Sequence, residues 1–140
     1  MSKLLILLLL SLLIASCSGS KELQLGQTSQ DPCRDQTTIK DSREFVGETV
    51  ENFTIYQQSD KVYASMDVRT HCNAQIAFTT ETPKGQLILR LSNANNSATD
   101  CVCITKVTTS ISNLSKGTYN VLLMTPAGNK LLAQQNLTVN

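Results

Sequence analysis

Five cysteines and a single histidine are the residues of this 140-residue chain best equipped for chemistry. Cys17 stands apart in an apolar N-terminal leader, while Cys33, Cys72, Cys101 and Cys103 lie in the body of the chain. An even set in a chain with an export leader points to disulfides, and more than one connectivity is open. Cys101 and Cys103 are i and i+2 on what reads as a strand, so they share a face ~6.5 Å apart along the chain and do not suit one another. Cys72, on an inward face, can reach either of them from a facing strand, which leaves Cys33 to staple the other at a gain of ~2–4 kcal/mol. The alternative is an envelope metal-binding or thiol-redox site. Cys72, Cys101 and Cys103 would offer thiolates and His71 an imidazole, a soft set suited to copper(I) or zinc. Against it, an oxidising compartment competes for the thiols, and His71 points away from the face that Cys72 uses on an extended chain.

Other chemical constellations are missing from the sequence. There is no Gly-x-Ser-x-Gly elbow, no phosphate-cradling glycine loop and no His pair for a zinc hydrolase. The acids are scattered, and nothing favours two of them as a catalytic pair. Of 12 basic side chains Lys3 lies in the leader, so 11 remain against 11 acids and the rest of the chain is neutral. That balance argues against a nucleic-acid partner. Trp is absent and aromatics make up only 4%, which leaves little for a cofactor cage. The expectation is a protein that is not an enzyme and carries no cofactor. Sequons begin at Asn52, Asn95, Asn113 and Asn136, as chance produces in a chain rich in Asn, Ser and Thr.

The leader is the most specific signal. After Lys3, Leu4 to Leu10, Ser11 and Leu12 to Ile14 form an apolar region of 11 residues, shorter than the ~20 needed to span a bilayer. A charged start, an apolar centre and small residues at its end describe a secretory signal. Its ending, Ile14-Ala15-Ser16-Cys17, resembles the bacterial lipobox. That resemblance implies alkylation of the Cys17 thiol by diacylglycerol and cleavage in front of it, with small Ala15 and Ser16 giving the enzymes access. Two acyl chains, at ~0.8 kcal/mol per buried methylene, anchor a protein stably. Ser18 is not the Asp that retains enteric lipoproteins in the inner membrane, which implies the outer membrane. Ser20-Lys21-Glu22 is similar to the surface-export tag of Bacteroidetes lipoproteins, so the periplasmic and cell-surface faces are both open.

These signals divide the chain into a signal peptide at 1–16, a lipidated tether and loosely structured lead-in at 17–44, and a β-sandwich at 45–140. From Phe45 onward apolar residues recur with period two. Phe53 and Ile55 form one such set, Val62, Ala64, Met66 and Val68 the next, and the parity continues through Cys72, Ala74, Ile76 and Phe78. Leu87, Leu89 and Leu91 follow the Thr82-Pro83-Lys84-Gly85 turn, then come a strand from Cys101 to Val107 and a short one around Ile111. Tyr119, Val121 and Leu123 precede Thr125-Pro126-Ala127-Gly128, and Leu131 to Val139 closes the chain.

Seven or eight strands at this spacing predict an all-β antiparallel sandwich. The stretch from Ile111 to Tyr119, with Leu114 before the tyrosine, resembles the penultimate corner of Ig-like and fibronectin-type sandwiches. A cysteine before Asn73-Ala74, with a later Cys-x-Cys ahead of a Tyr-bearing strand, resembles small uncharacterised envelope lipoproteins of Bacteroidetes, a resemblance that implies structural cysteines.

One surface is also predicted. If Ser59-Asp60 is a hairpin tip, residues whose numbers sum to 119 face each other, which pairs Phe53 with Met66 and Ile55 with Ala64 inward and Tyr56 with Tyr63 outward. An exposed tyrosine pair flanked by Thr54, Ser65 and Gln58 is a candidate platform for a glycan or an envelope protein. The expected role is thus a non-catalytic binding or structural module held to a membrane by its N-terminal lipid.

Overall fold

The computed structural model describes residues 22–39, 49–95, 99–128 and 130–140. The leader with Cys17, and Phe45 at the expected start of the sandwich, lie outside them. No helix occurs among the described residues. The strands are β1 (Gln24–Leu25), β2 (Ser29–Gln30), β3 (Arg34–Thr38), β4 (Thr49–Gln58), β5 (Lys61–His71), β6 (Ile76–Glu81), β7 (Gln86–Asn93), β8 (Cys101–Ser112), β9 (Gly117–Met124) and β10 (Leu131–Val139). They make two packed sheets, so the chain is an all-β sandwich.

In the six-stranded sheet β5 lies between β4 and β8, and β1, β2 and β3 follow one another along the far side of β8. The second sheet runs β10-β9-β7-β6. The alternation read from the sequence is what builds the core. Val62, Ala64, Met66 and Val68 of β5 face Leu87, Leu89, Leu91, Val121 and Leu123 of the other sheet, all buried. At about 25 cal/mol per Å² of apolar surface removed from water, that layer is the main force holding the sheets together.

Three expectations need correction. The lead-in is not loose over 22–39: it supplies three short strands, and the bonds Gly26 N–H to Ser110 O (2.7 Å), Asp31 N–H to Lys106 O (2.9 Å) and Ile39 N–H to Asp100 O (2.7 Å) run along the length of β8. Ten strands lie among the described residues, and seven of them, β4 to β10, fall within the expected sandwich, in keeping with the seven or eight read from the sequence. The sandwich is not purely antiparallel, because β8 crosses to the first sheet between β7 and β9, which therefore run the same way and pair parallel. The strands expected at Cys101 and around Ile111 are one strand, β8, whereas the apparent run through Cys72 to Phe78 is broken. Cys72-Asn73 forms a turn closed by Ala74 N–H to His71 O at 3.0 Å, and there the chain changes sheets without losing its inward parity at Ala74, Ile76 and Phe78.

The Tyr119 hydroxyl donates to Ser115 O at 2.9 Å, four residues upstream, which pins the entry to β9 as a corner tyrosine does. Both lateral edges of the sandwich are bridged by glutamine amides acting as substitute peptide groups. Gln30 Oε1 accepts from Ile76 N–H at 3.1 Å while its Nε2 donates to Ala74 O at 3.0 Å. On the opposite edge Gln57 does the same to Asn140, and Gln135 to Ile55.

Candidate functional site

The outer face of the six-stranded sheet carries a set of side chains arranged in rows by the register. Residues of β5 alternate, so Tyr63, Ser65, Asp67, Arg69 and His71 point away from the core. The first row is Tyr56, Tyr63 and Ser110, and the second Thr54, Ser65 and Thr108. Glu51, Asp67 and Lys106 make the third, and Thr49, Arg69 and Ile104 the fourth.

Tyr56 and Tyr63 are direct cross-strand partners, as the hairpin arithmetic requires. Their rings are stacked, with centroids 5.7 Å apart and planes 18° from parallel. Tyr56, on the edge strand, remains 45% exposed. Because each ring covers one face of the other, the outward ring face of Tyr56 is the one left for a partner. Beside them Ser65 Oγ and Thr108 Oγ1 lie 3.2 Å apart and Thr54 Oγ1 donates to Ser65 O at 3.4 Å.

Asp67 is the centre of the next row. Arg34 Nη2 reaches it across β8 at 2.7 Å, and Asn52 Nδ2 donates to its other oxygen at 2.8 Å from the edge strand β4. Both side chains are aimed by irregular backbone. Asn52, with φ at 53°, sits in a bulge that shifts the β4–β5 register between Glu51 and Thr54, and Asp35, with φ at 52°, lies in the break between Arg34 and Thr37. Bulges of this type redirect side chains at sheet edges. Between them Arg34, Asn52, Thr54, Ser65, Asp67 and Lys106 line an open depression of about 350 Å³. The bulge also corrects one expectation: Ile55 pairs with Ala64 as required, but Phe53 falls in the bulge, has no rung opposite Met66 and packs half-buried against the core.

The sulfur atoms form a second cluster at one pole. Cys33 is bonded to Cys103 and Cys72 to Cys101, with Cα separations of 5.6 and 5.4 Å. Of the pairings left open, this one follows from the sheet. His71 is opposite Val102, so Cys72 falls on the next rung against Cys101, and its N–H donates to Cys101 O at 3.0 Å. Cys72 thus reaches its partner from the adjacent strand of the same sheet and not from across the sandwich. The Cys33–Cys103 bond closes a separation of 70 residues and ties the lead-in to β8.

His71 is not a member of that sulfur group, and its Nδ1 lies 2.8 Å from Thr99 O and 3.3 Å from Thr99 N. Cys33, Cys72 and Cys103 are the only group of three or more metal-type ligands gathered among the described residues.

Sequence reasoning located the tyrosines and the cysteines but not Arg34, Asn52, Asp67 and Lys106, which come together from four strands. The one sequence signal available for them was an asparagine in the middle of a strand, a residue type strands disfavour. Comparison of the chain with family models, curated proteins and solved structures finds no match.

Proposed function

We propose that this chain is a lipid-anchored, non-catalytic module of the outer membrane of a Gram-negative bacterium of the Bacteroidetes type, and that it binds glycan on the outer face of its six-stranded sheet. The observation that carries the reading is the Tyr56–Tyr63 stack, exposed on a sheet face beside a hydroxyl row and a depression lined by a carboxylate, a guanidinium and an amide. Sugar rings are recognised by an aromatic face for their C–H surface and by such polar groups for their hydroxyls. A cross-strand pair serving stability alone contributes ~0.2–1 kcal/mol and requires neither the exposure of Tyr56 nor the polar set beside it. Edge pairing with a peptide strand is disfavoured because the glutamine amides already occupy part of both sheet edges.

The membrane anchor rests on the leader and Cys17. Gln24 and Lys61 both pair with Ser112, so Glu22 lies at the same pole as the Ser59-Asp60 turn. Even fully extended, the segment from Cys17 to Glu22 spans roughly 17 Å. A lipid on Cys17 would therefore hold this pole, and the tyrosine pair near it, close to the bilayer.

The test is retention of the protein on immobilised envelope glycans, with and without Tyr56→Ala and Tyr63→Ala together. Loss of retention with a modest fall in Tm supports the reading. Unchanged retention with lowered Tm makes the pair structural, and capture of envelope protein with no glycan assigns the face to a protein partner; either result overturns it.

A further inference from the structure

We infer that Cys33, Cys72, Cys101 and Cys103 form a redox-gated site for one soft, thiophilic cation, closed as two disulfides when oxidised and open as a thiolate cage when reduced. The Sγ atoms of Cys33, Cys72 and Cys103 all lie within 4.8 Å of one another, and the fourth sulfur, that of Cys101, is bonded to Cys72. Disulfides that only staple a sandwich can sit anywhere along it, whereas these two share one spot. Tetrahedral coordination with metal–sulfur bonds of ~2.3 Å places the sulfurs about 3.8 Å apart, a spacing within the reach of the Cys33, Cys72 and Cys103 group, while Cys101, outside that group but bonded to Cys72, turns in once its S–S bond opens.

Backbone hydrogen bonds hold these positions beside the S–S bonds. The β5–β8 ladder is continuous from Lys61–Ser112 to His71–Val102 and is extended by the Cys72 N–H to Cys101 O bond, which places Cys72, Cys101 and Cys103. Cys33 is held between the Asp31 N–H to Lys106 O bond on one side and the Arg34–Ile104 rung on the other. Cys33, Cys72 and Cys101 are each partly exposed, which gives a reductant and a metal ion access, while Cys103 is 1% exposed at the floor. His71 is not a ligand in this assignment, because it shares a rung with Val102 and so points to the face of the sheet opposite to Cys101 and Cys103.

Opening the site takes two molecules of a two-electron dithiol or phosphine reductant. Each S–S bond breaks and each sulfur gains one electron and one proton; a dithiol supplies both hydrogens and leaves as its cyclic disulfide, whereas a phosphine takes oxygen from one water per disulfide, whose two protons go to the thiols, and leaves as its oxide. A divalent d10 cation then replaces the thiol protons, which are released to solvent. This inference is independent of the glycan reading, since none of its residues belongs to the tyrosine face.

The full chain, reduced with a phosphine and desalted without oxygen, is titrated with Cd2+ while the ultraviolet thiolate-to-cadmium charge-transfer band and the far-ultraviolet circular dichroism are recorded. The expected result is a β-sheet spectrum retained on reduction, saturation at one cadmium per chain and no such band in the oxidised protein. Cys33→Ser weakens binding at least as much as the ~10–100-fold typical of losing an outer-shell partner, and His71→Ala leaves it unchanged. Loss of the sheet spectrum on reduction, uptake without a one-to-one endpoint, or equal losses for His71→Ala and Cys33→Ser would each overturn the assignment.

Discussion

The side-chain amide of Gln135 pairs with the main chain of Ile55 in both directions: Ile55 N–H donates to Oε1 at 3.0 Å, and Nε2 donates to Ile55 O at 3.3 Å. A residue of β10 in one sheet thereby bridges to the edge strand β4 of the other, at a point where an open strand would otherwise offer its peptide groups to another chain.

Gln135→Ala is expected to destabilise the protein by about 1–2 kcal/mol for two lost hydrogen bonds and to increase self-association. Chemical denaturation and sedimentation velocity measure the two effects. A monomeric variant of unchanged stability would show that the bridge contributes nothing.

Thr70 lies fully buried opposite Cys103, and its Oγ1 has no hydrogen-bond partner among the described residues. The other two fully buried threonines of that inner face differ: Thr105 donates to Asp31 O at 2.6 Å and Thr109 meets Thr28 at 3.4 Å. Replacing an unsatisfied hydroxyl by a methyl group of similar shape removes a desolvation cost, so Thr70→Val is expected to gain ~1 kcal/mol, or roughly 3–5 °C in Tm. A lower Tm would show that the hydroxyl has a partner after all.

How much of this was legible beforehand is seen residue by residue. The β5 alternation and the 119 register of Tyr56 with Tyr63 were readable because one face is apolar and a one-residue slip would expose it. The register changes at Asn52, where a bulge leaves no apolar trace. Strands β1 to β3 were missed for a similar reason. As an edge along β8 they bond through their backbones; Leu23 and Leu25 give β1 a single alternation, and every residue of Arg34–Thr38 is exposed, so too little period-two pattern is written into them to read. The grip of Arg34 and Asn52 on Asp67, and the glutamine bridges, depend on strand order, which a single sequence does not contain.

Glu81 is held below its ordinary carboxyl value of 4.5 by hydrogen bonds from Arg90 and then by its charge, against a smaller opposing effect of desolvation. A depressed carboxyl pKa stabilises the fold above the unfolded value, and the contribution disappears as pH falls through the folded one. Arg90→Gln is therefore expected to raise the Glu81 midpoint toward 4.5 in a carboxyl-detected NMR titration. An unmoved midpoint would show that Arg90 is not its cause.

Cys17→Ser is expected to move the protein from the detergent phase to the aqueous phase in cells that process lipoproteins. Equal partitioning of parent and variant would remove the proposed lipid anchor.

The most direct test of the glycan reading is an amide-detected NMR titration of the folded domain with a soluble envelope glycan fraction. Saturable shifts are expected on the outer face alone, at Thr54, Tyr56, Tyr63, Ser65, Asp67 and Lys106, and are expected to vanish in the Tyr56→Ala, Tyr63→Ala double variant. Shifts centred elsewhere, or none at saturating glycan, would contradict it.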